Sequence, residues 1–358
     1  MRVEAPLIVG GGPAGAVAAL RLAQAGHRAT LLERTRETGD ALCGGFLSWR
    51  TLASLREVGI DGIGGHSVRR LRLFAGNRTA ERALPAPAIG VSRRRLDTLL
   101  LDAAARAGAA IERDVHVRGW ANGALQADGS ELRPDTLFLA TGKHELRGLA
   151  RPRAAAGDDP AIGLRVRLAP SPTLTRLVGD AIELHLFDAG YAGLVLQEDG
   201  SANLCMAVRK SRLECAGGVD ALLGELARLP HLDARLACGH GPADAVAHVP
   251  YGWRARGTAP GVFRLGDQAG VIPSLAGEGM GIAIASAIRA ADAWVAGGGG
   301  ASVGYQRRLA RSLARPIEIA GWIAALGTRP ATAPWLVAAA RAPGAADLAA
   351  RVTRIGRD

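Results

Sequence analysis

Near the start of the chain, Gly10-Gly11-Gly12-Pro13-Ala14-Gly15 sets three glycines in a G-x-G-x-x-G pattern. It follows an apolar run over residues 3–9 and opens an Ala/Leu-rich helical stretch that reaches about Ala25, where Gly26 reads as the stop. In that strand–turn–helix setting Gly10 permits a tight turn, Gly12 lets the backbone approach a pyrophosphate, and Gly15 lets helix and strand pack closely. Pro13 and Ala14 begin a helix whose N-terminal amides and partial positive charge face the phosphates. Glu33 ends the next strand, residues 29–33, about 20 residues on, placed to accept hydrogen bonds from a ribose hydroxyl pair. The chemistry is dinucleotide binding, and this motif alone fits NAD as well as FAD.

Two distant segments narrow the choice. Ala140-Thr141-Gly142 ends an apolar strand in a small-residue turn, and Gly266-Asp267-Gln268-Ala269-Gly270 is followed by Pro273 and Gly277-Glu278-Gly279-Met280. With the first motif, these resemble the three signatures of the glutathione-reductase flavoprotein superfamily, and the resemblance implies FAD. It implies that Thr141 and Gly142 border the cofactor and that Asp267 reaches the ribityl or pyrophosphate region. The turn at Gly277, Gly279 and Met280 would start a helix whose N-terminus faces the isoalloxazine ring, where its dipole favours negative charge on the reduced flavin. More narrowly, Cys43-Gly44-Gly45-Phe46-Leu47-Ser48 resembles the Cys-Gly-rich segment of geranylgeranyl-reductase-like flavoproteins. Val91-Ser92-Arg93-Arg94-Arg95-Leu96-Asp97 resembles the stretch whose first Arg contacts the cofactor. The match selects Arg93, with Arg34 as a second candidate, adds Cys43 and Gly44 to the cofactor contacts, and brings the main chain near Val117 to the adenine. It covers about residues 1–295.

Substrate is less legible. Asp188-Ala189-Gly190-Tyr191-Ala192-Gly193-Leu194 resembles the wall motif of prenyl-chain reductases, with Tyr191 kept, Gly193 in place of a Trp, and no Phe-Pro. Thr141-Gly142-Lys143-His144 stands where aromatic hydroxylases of the superfamily carry Asp-Gly, and Lys143 and His144 are expected at the cofactor's rim. The catalytic candidates are Cys43 and Tyr191, as proton donors or pocket-shaping groups; packing is the plainer role for each. His185 in the same sheet is a further candidate acid, with a structural role as the plainer alternative. The expected activity is FAD-dependent redox chemistry on a hydrophobic small molecule (lipid, isoprenoid or polyketide-like), foremost a geranylgeranyl-reductase-like reduction. The alternatives are a flavin monooxygenase acting on an aromatic or polyketide-like substrate, and a flavin electron carrier with no substrate pocket. No second dinucleotide fingerprint follows residue 150, so electrons are expected from transiently bound NAD(P)H, foremost, or from a protein or quinone partner; no paired redox cysteines occur, which argues against a disulfide reductase.

The elements that position these groups read as α/β: a Rossmann-type FAD-binding domain with an inserted antiparallel β-sheet substrate domain and a C-terminal helical tail. Residues 93–108 carry Leu96, Leu99, Leu100 and Ala103 at helical spacing. Alternating runs at 161–168, 181–187, 191–196 and 202–208 read as the sheet. The FAD domain is assigned to 1–75, 91–150 and 260–300, the substrate domain to 76–90 and 151–259, and the helical region to 301–358. Gly297 to Gly300 reads as a flexible break. The 358 residues carry a net charge of +11, almost all from arginines that are scattered rather than clustered, so no nucleic-acid partner is expected. The four cysteines show no metal spacing. No window of about 20 uninterrupted apolar residues occurs. A reduced, cytoplasmic protein is expected, with peripheral membrane contact through the apolar, Arg-bearing C-terminal region as a further possibility.

Overall fold

Short apolar runs buried on both faces make parallel strands, and the first sheet is built from them. The computed structural model describes residues 2–3, 5–152, 157–342, 344, 349 and 351–355. Its central sheet has five parallel strands, in the order Val262–Arg264, Leu137–Leu139, Leu7–Val9, Thr30–Glu33 and Ala110–Arg113. Alternate residues serve the two faces. Ile8, Phe138 and Phe263 pack under the helices Pro13–Gln24, Arg93–Arg106 and Gly279–Gly297. Leu7, Val9, Leu137 and Leu139 pack with Leu125 and Trp120 of a small second layer formed by Val117–Ala121, Ala124–Ala127 and Ser130–Pro134. All the strands of the first sheet end toward the same cleft, which is where α/β sheets bind ligands.

The second sheet has eight strands, in the order Asp244–Val249, Ala161–Leu168, Ala202–Arg209, Gly190–Leu196, Ala181–Phe187, His66–Ala75, Arg78–Gly90 and Phe46–Leu47. Its pairings are antiparallel except one: Ala181–Phe187 runs parallel to His66–Ala75, so the sheet is mixed. The assigned boundary at residue 75 cuts a hairpin, because His66–Ala75 and Arg78–Gly90 pair with each other and both belong to this sheet. Arg70 and Arg72 obscure the strand in the sequence; they are there to pair with Asp180, Glu81 and Glu183. The outer face packs on the short helices Pro172–Val178, Val219–Leu226 and Leu232–Leu236.

The predicted break at Gly297–Gly300 is a 3₁₀ turn over Gly298–Ala301 leading directly into the helix Ser302–Gly327. By length and composition Gly279–Gly327 is apolar enough to cross a membrane, but 56% of its apolar window is buried in the protein. Its apolarity is that of a core helix. A further helix, Ala333–Ala340, packs on the hairpin at 66–90. Residues 1, 4, 153–156, 343, 345–348, 350 and 356–358 of the assigned domains lie outside the described residues.

Candidate functional site

Two glycines make the turn above the first strand possible. Gly10 has φ +105°, and a Cβ there would lie 2.5 Å from the Ala140 carbonyl oxygen. A Cβ at Gly15 would lie 1.9 Å from the Gly10 carbonyl oxygen, so the helix seats against the strand only without a side chain. Gly12 caps the helix with no side chain accepting from its first amides, and Pro13 opens it. Those amides face the cleft unsatisfied by protein, the arrangement that binds phosphate. The Glu33 carboxylate is tied to the turn: Gly11 N–H donates to Oε2 at 2.6 Å, while Thr35 N and Oγ1 donate to Oε1 at 2.9 and 2.8 Å. A carboxylate has about four acceptor directions, two on each oxygen, so Oε2 keeps capacity toward a ribose while Oε1 is filled by Thr35.

A cavity of about 780 Å³ runs from Gly10–Gly12 past Glu33 to Val115 and Val117. Arg34 and His144 meet on its rim at 2.8 Å. Burial and the Arg34 charge lower the His144 pKa, which favours a neutral ring. Arg113 also lines the cavity, and its Nη1 is buried with no hydrogen-bond partner. An orphaned guanidinium nitrogen in a cleft fits an oxygen-rich ligand. Arg93 forks onto Asp97, Nε to Oδ1 at 2.9 Å and Nη2 to Oδ2 at 2.7 Å, and Nη2 would lie 3.2 Å from a Cβ at Gly12. Burial raises the Asp97 pKa, and Arg93 acts against that rise. On the far wall Lys143 Nζ lies 3.4 Å from Asp267 Oδ2, whose charge keeps Lys143 protonated. Arg151 binds both their main-chain oxygens, each at 2.9 Å, and so locks the Thr141 turn to the Gly266 turn.

This cavity continues into a second, of about 210 Å³, with Gly12, Arg93, Gly142, Lys143 and Asp267 on the wall of both. The second is lined mainly by apolar groups such as Ile182, Leu184, Leu194 and Met280, together with Cys43, Cys205 and a hydroxyl cluster. In that cluster Tyr191 Oη lies 2.7 Å and Tyr251 Oη 2.9 Å from the same Ser274 Oγ, and Leu275 N–H donates to Tyr191 at 2.9 Å. Burial pushes the Tyr191 phenol well above its ordinary value and Tyr251 up to about 12, so both remain protonated donors near neutral pH. Beside the cluster, Gly277 has φ +68°, and the helix Gly279–Gly297 starts without a side-chain cap. Glu278 at that start is fully buried and bound by Arg354 Nη1 at 2.7 Å and Ile355 N–H at 3.1 Å.

The two joined chambers gather the residues selected from the sequence. Gly10, Glu33, Arg34, Val117 and Thr141 line the larger. Pro13, Ala14, Cys43, Gly44, Tyr191, Gly277, Gly279 and Met280 line the smaller. Gly15 lies beneath Gly10, as its packing role requires. Lys143 and His144 stand on the rim of the larger chamber. His185 does not join them. It projects from the outer face of the sheet, stacked on Phe74 with ring centroids 4.5 Å apart and bonded to Glu183 at 3.2 Å, so its role is structural. Burial keeps it below its ordinary pKa. Sequence reasoning missed Arg113, Tyr251 and Ser274. Ser274 lies inside the third glycine-rich signature and was within reach, whereas Tyr251 follows Pro250 with no motif around it.

A long cleft with an uncapped helix N-terminus at its middle, a carboxylate and an orphan arginine on one side, and an apolar chamber on the other fits FAD. Residues 4–148 match the FAD binding domain family. No curated protein sequence matches the chain significantly. Among solved structures, a geranylgeranyl bacteriochlorophyll reductase-like protein from Thermoplasma acidophilum superposes with TM-score 0.75 at 19% identity, covering 98% of this chain and 96% of that one. PqsL of Pseudomonas aeruginosa, in complex with 2-aminobenzoylacetate, gives 0.71 at 18%, with 94% and 99% covered. The myxobacterial chondrochloren halogenase CndH gives 0.69 at 20%, with 86% and 79% covered. Residues 4–148 thus match an FAD-binding domain, and the chain as a whole shares its fold with these geranylgeranyl reductase-like, PqsL and halogenase structures.

Proposed function

We propose that the protein reduces a carbon–carbon double bond in a hydrophobic small molecule of lipid, isoprenoid or polyketide-like chemistry. The observation that carries this reading is the Tyr251–Ser274–Tyr191 hydroxyl chain in the wall of an apolar chamber that opens onto the cofactor cleft. FAD held in the cleft and reduced by transiently bound NAD(P)H would supply a hydride to one carbon of a polarised double bond, and the neighbouring carbon would then need a proton. Tyr251 is the donor; its Oη is less enclosed than that of Tyr191 and shares the Ser274 hydroxyl. Ser274 and Tyr191 are positioning groups: a proton shift from Tyr191 through Ser274 returns Tyr251 to its phenol form, and the Leu275 N–H steadies the oxygen left on Tyr191. The apolar walls, Ile182, Leu184 and Met280 among them, exclude water. Arg93, Lys143 and the uncapped N–H groups that follow Pro13 at the start of the helix Pro13–Gln24 would hold the phosphates.

A second reading is hydroxylation, favoured by the small size of the inner chamber, about 210 Å³, which suits a compact aromatic ring better than a long chain. A carrier without a substrate would have no use for that chamber. The test is anaerobic. The holoprotein is reduced with dithionite and mixed with a panel of enones and prenyl alcohols. Return of the yellow colour without oxygen, slowed about 100-fold in Tyr251→Phe while FAD content stays unchanged, is the expected result. Reoxidation that needs oxygen and yields a hydroxylated product establishes the second reading instead.

A further inference from the structure

The helix Ser302–Gly327 buries one stripe, Tyr305, Leu309, Leu313, Ile317 and Ala320, against the core. Its opposite stripe changes character along its length. Arg307, Arg308, Arg311 and Arg315 are exposed in the first part, and Trp322, Ala325 and Leu326 in the last. The chain then turns at exposed Arg329, Pro330 and Ala331 and enters the helix Ala333–Ala340, which presents Trp335 outward. Among six tryptophans, Trp322 and Trp335 are the two that stand in solvent, 64% and 69% exposed, while the other four are half-buried. The Arg78 guanidinium lies 5.5 Å over the Trp335 ring, and Arg341 follows the helix. Between residues 302 and 342 there are six arginines and a single acid, Glu318.

We infer that this corner docks the protein on an anionic lipid bilayer, with Trp322, Leu326 and Trp335 entering the interface and the surrounding arginines meeting lipid phosphates. Indole rings settle at the boundary between headgroups and acyl chains, and arginines beside them extend to the charged surface. Charge decides against a second copy of this chain as the occupant. A symmetric pairing would bring two sets of arginines together around the apolar tips, on chains of net charge +11, whereas an anionic bilayer neutralises them.

The inner side of the same corner gives the docking a use. Ala333, Val337 and Leu336 pack in one cluster with Tyr191, Tyr251 and Leu275, which are walls of the inner chamber. The apolar tip and the hydroxyl chain are therefore opposite faces of one layer. A substrate dissolved in the membrane would meet the chamber wall without crossing bulk water. That last step rests on the proposed reduction; the docking does not, and the two are measured separately.

The FAD-loaded full chain is sedimented with vesicles of phosphatidylglycerol and phosphatidylcholine, and with phosphatidylcholine alone, while tryptophan emission is followed. Expected are binding to the anionic vesicles that weakens as salt is raised, a blue shift of the emission, and about tenfold weaker partitioning of Trp322→Ser/Trp335→Ser with FAD content unchanged. Arg315→Gln/Arg329→Gln lowers binding to anionic vesicles and flattens the salt dependence. A wild-type chain that ignores anionic vesicles, or a double tryptophan variant that binds as well as wild type, overturns the inference. So does a dimer that the tryptophan variant converts to monomer, since the corner would then be a self-association surface.

Discussion

The two sheets meet at one cleft but hold it by different means. The parallel sheet contributes mainly backbone: tight glycine turns, open amides and an apolar core, with its buried carboxylates, Asp97 and Glu278, carried by the helices beside it. The eight-stranded sheet contributes side chains, and behind its chamber-facing surface it buries a charged cluster. Glu183, fully buried, accepts from Arg235 Nε at 3.0 Å and Nη2 at 2.8 Å, from Arg72 Nη1 at 3.1 Å, and bonds to His185. Where the site is backbone, sterics allow one residue type and a substitution is ruinous for the ligand. Where the wall is side chains on a sheet, the ligand face is replaceable and the vulnerable point lies on the opposite surface.

The comparison is broken most directly at Gly15. Gly15→Val drives a side chain into the Gly10 carbonyl, and FAD affinity should fall at least about 1,000-fold, roughly 4 kcal/mol, by calorimetry. Retained affinity would sink the backbone account. Next is Glu183→Ala, which strands the buried Arg235 guanidinium without a carboxylate; about 3–5 kcal/mol of unfolding free energy should go, while FAD affinity of the folded fraction is unchanged. The pH dependence has a definite sign. Despite burial, which opposes it, the bonds from His185 and Arg235 hold the Glu183 carboxyl down to about 2 against a usual 4.5, so its contribution is present above pH 4.5 and is lost as pH falls toward 2. His185, kept neutral by burial, adds a loss as pH drops below its ordinary 6.5. Urea midpoints for wild type should decline on acidification through both ranges, and Glu183→Gln should remove the lower one. Smallest is Glu33→Gln, which weakens the hold on Gly11 and on a ribose; about tenfold weaker FAD binding is expected, near 1.4 kcal/mol, with the denaturant midpoint unmoved.

The same contrast explains what the sequence disclosed. Gly10 and Gly15 are legible because no other residue fits their backbone, Gly12 because its spacing between them completes the motif, and Gly277 because its φ is positive. Leu7–Val9 and Leu137–Leu139 are legible because both faces are buried. His66–Ala75 belongs with the eight-stranded sheet, and its arginines break the apolar alternation of a strand because Asp180, Glu81 and Glu183 stand opposite them. Tyr251 and Tyr191 are 60 positions apart and joined through Ser274, so a relay made by convergence of three segments leaves no local pattern. His185 lay in the right strand but on the wrong face, and a period of two decides that only once the register is known.

Glu278 begins the helix that borders the inner chamber, yet its counter-ion, Arg354, lies 76 residues further along, braced against Phe46 and Trp49 with its carbon 5.8 and 4.9 Å from their rings. The third glycine signature is therefore not sufficient to complete the mouth of the cofactor site. Its buried carboxylate is matched only when the segment carrying Arg354 packs back onto it.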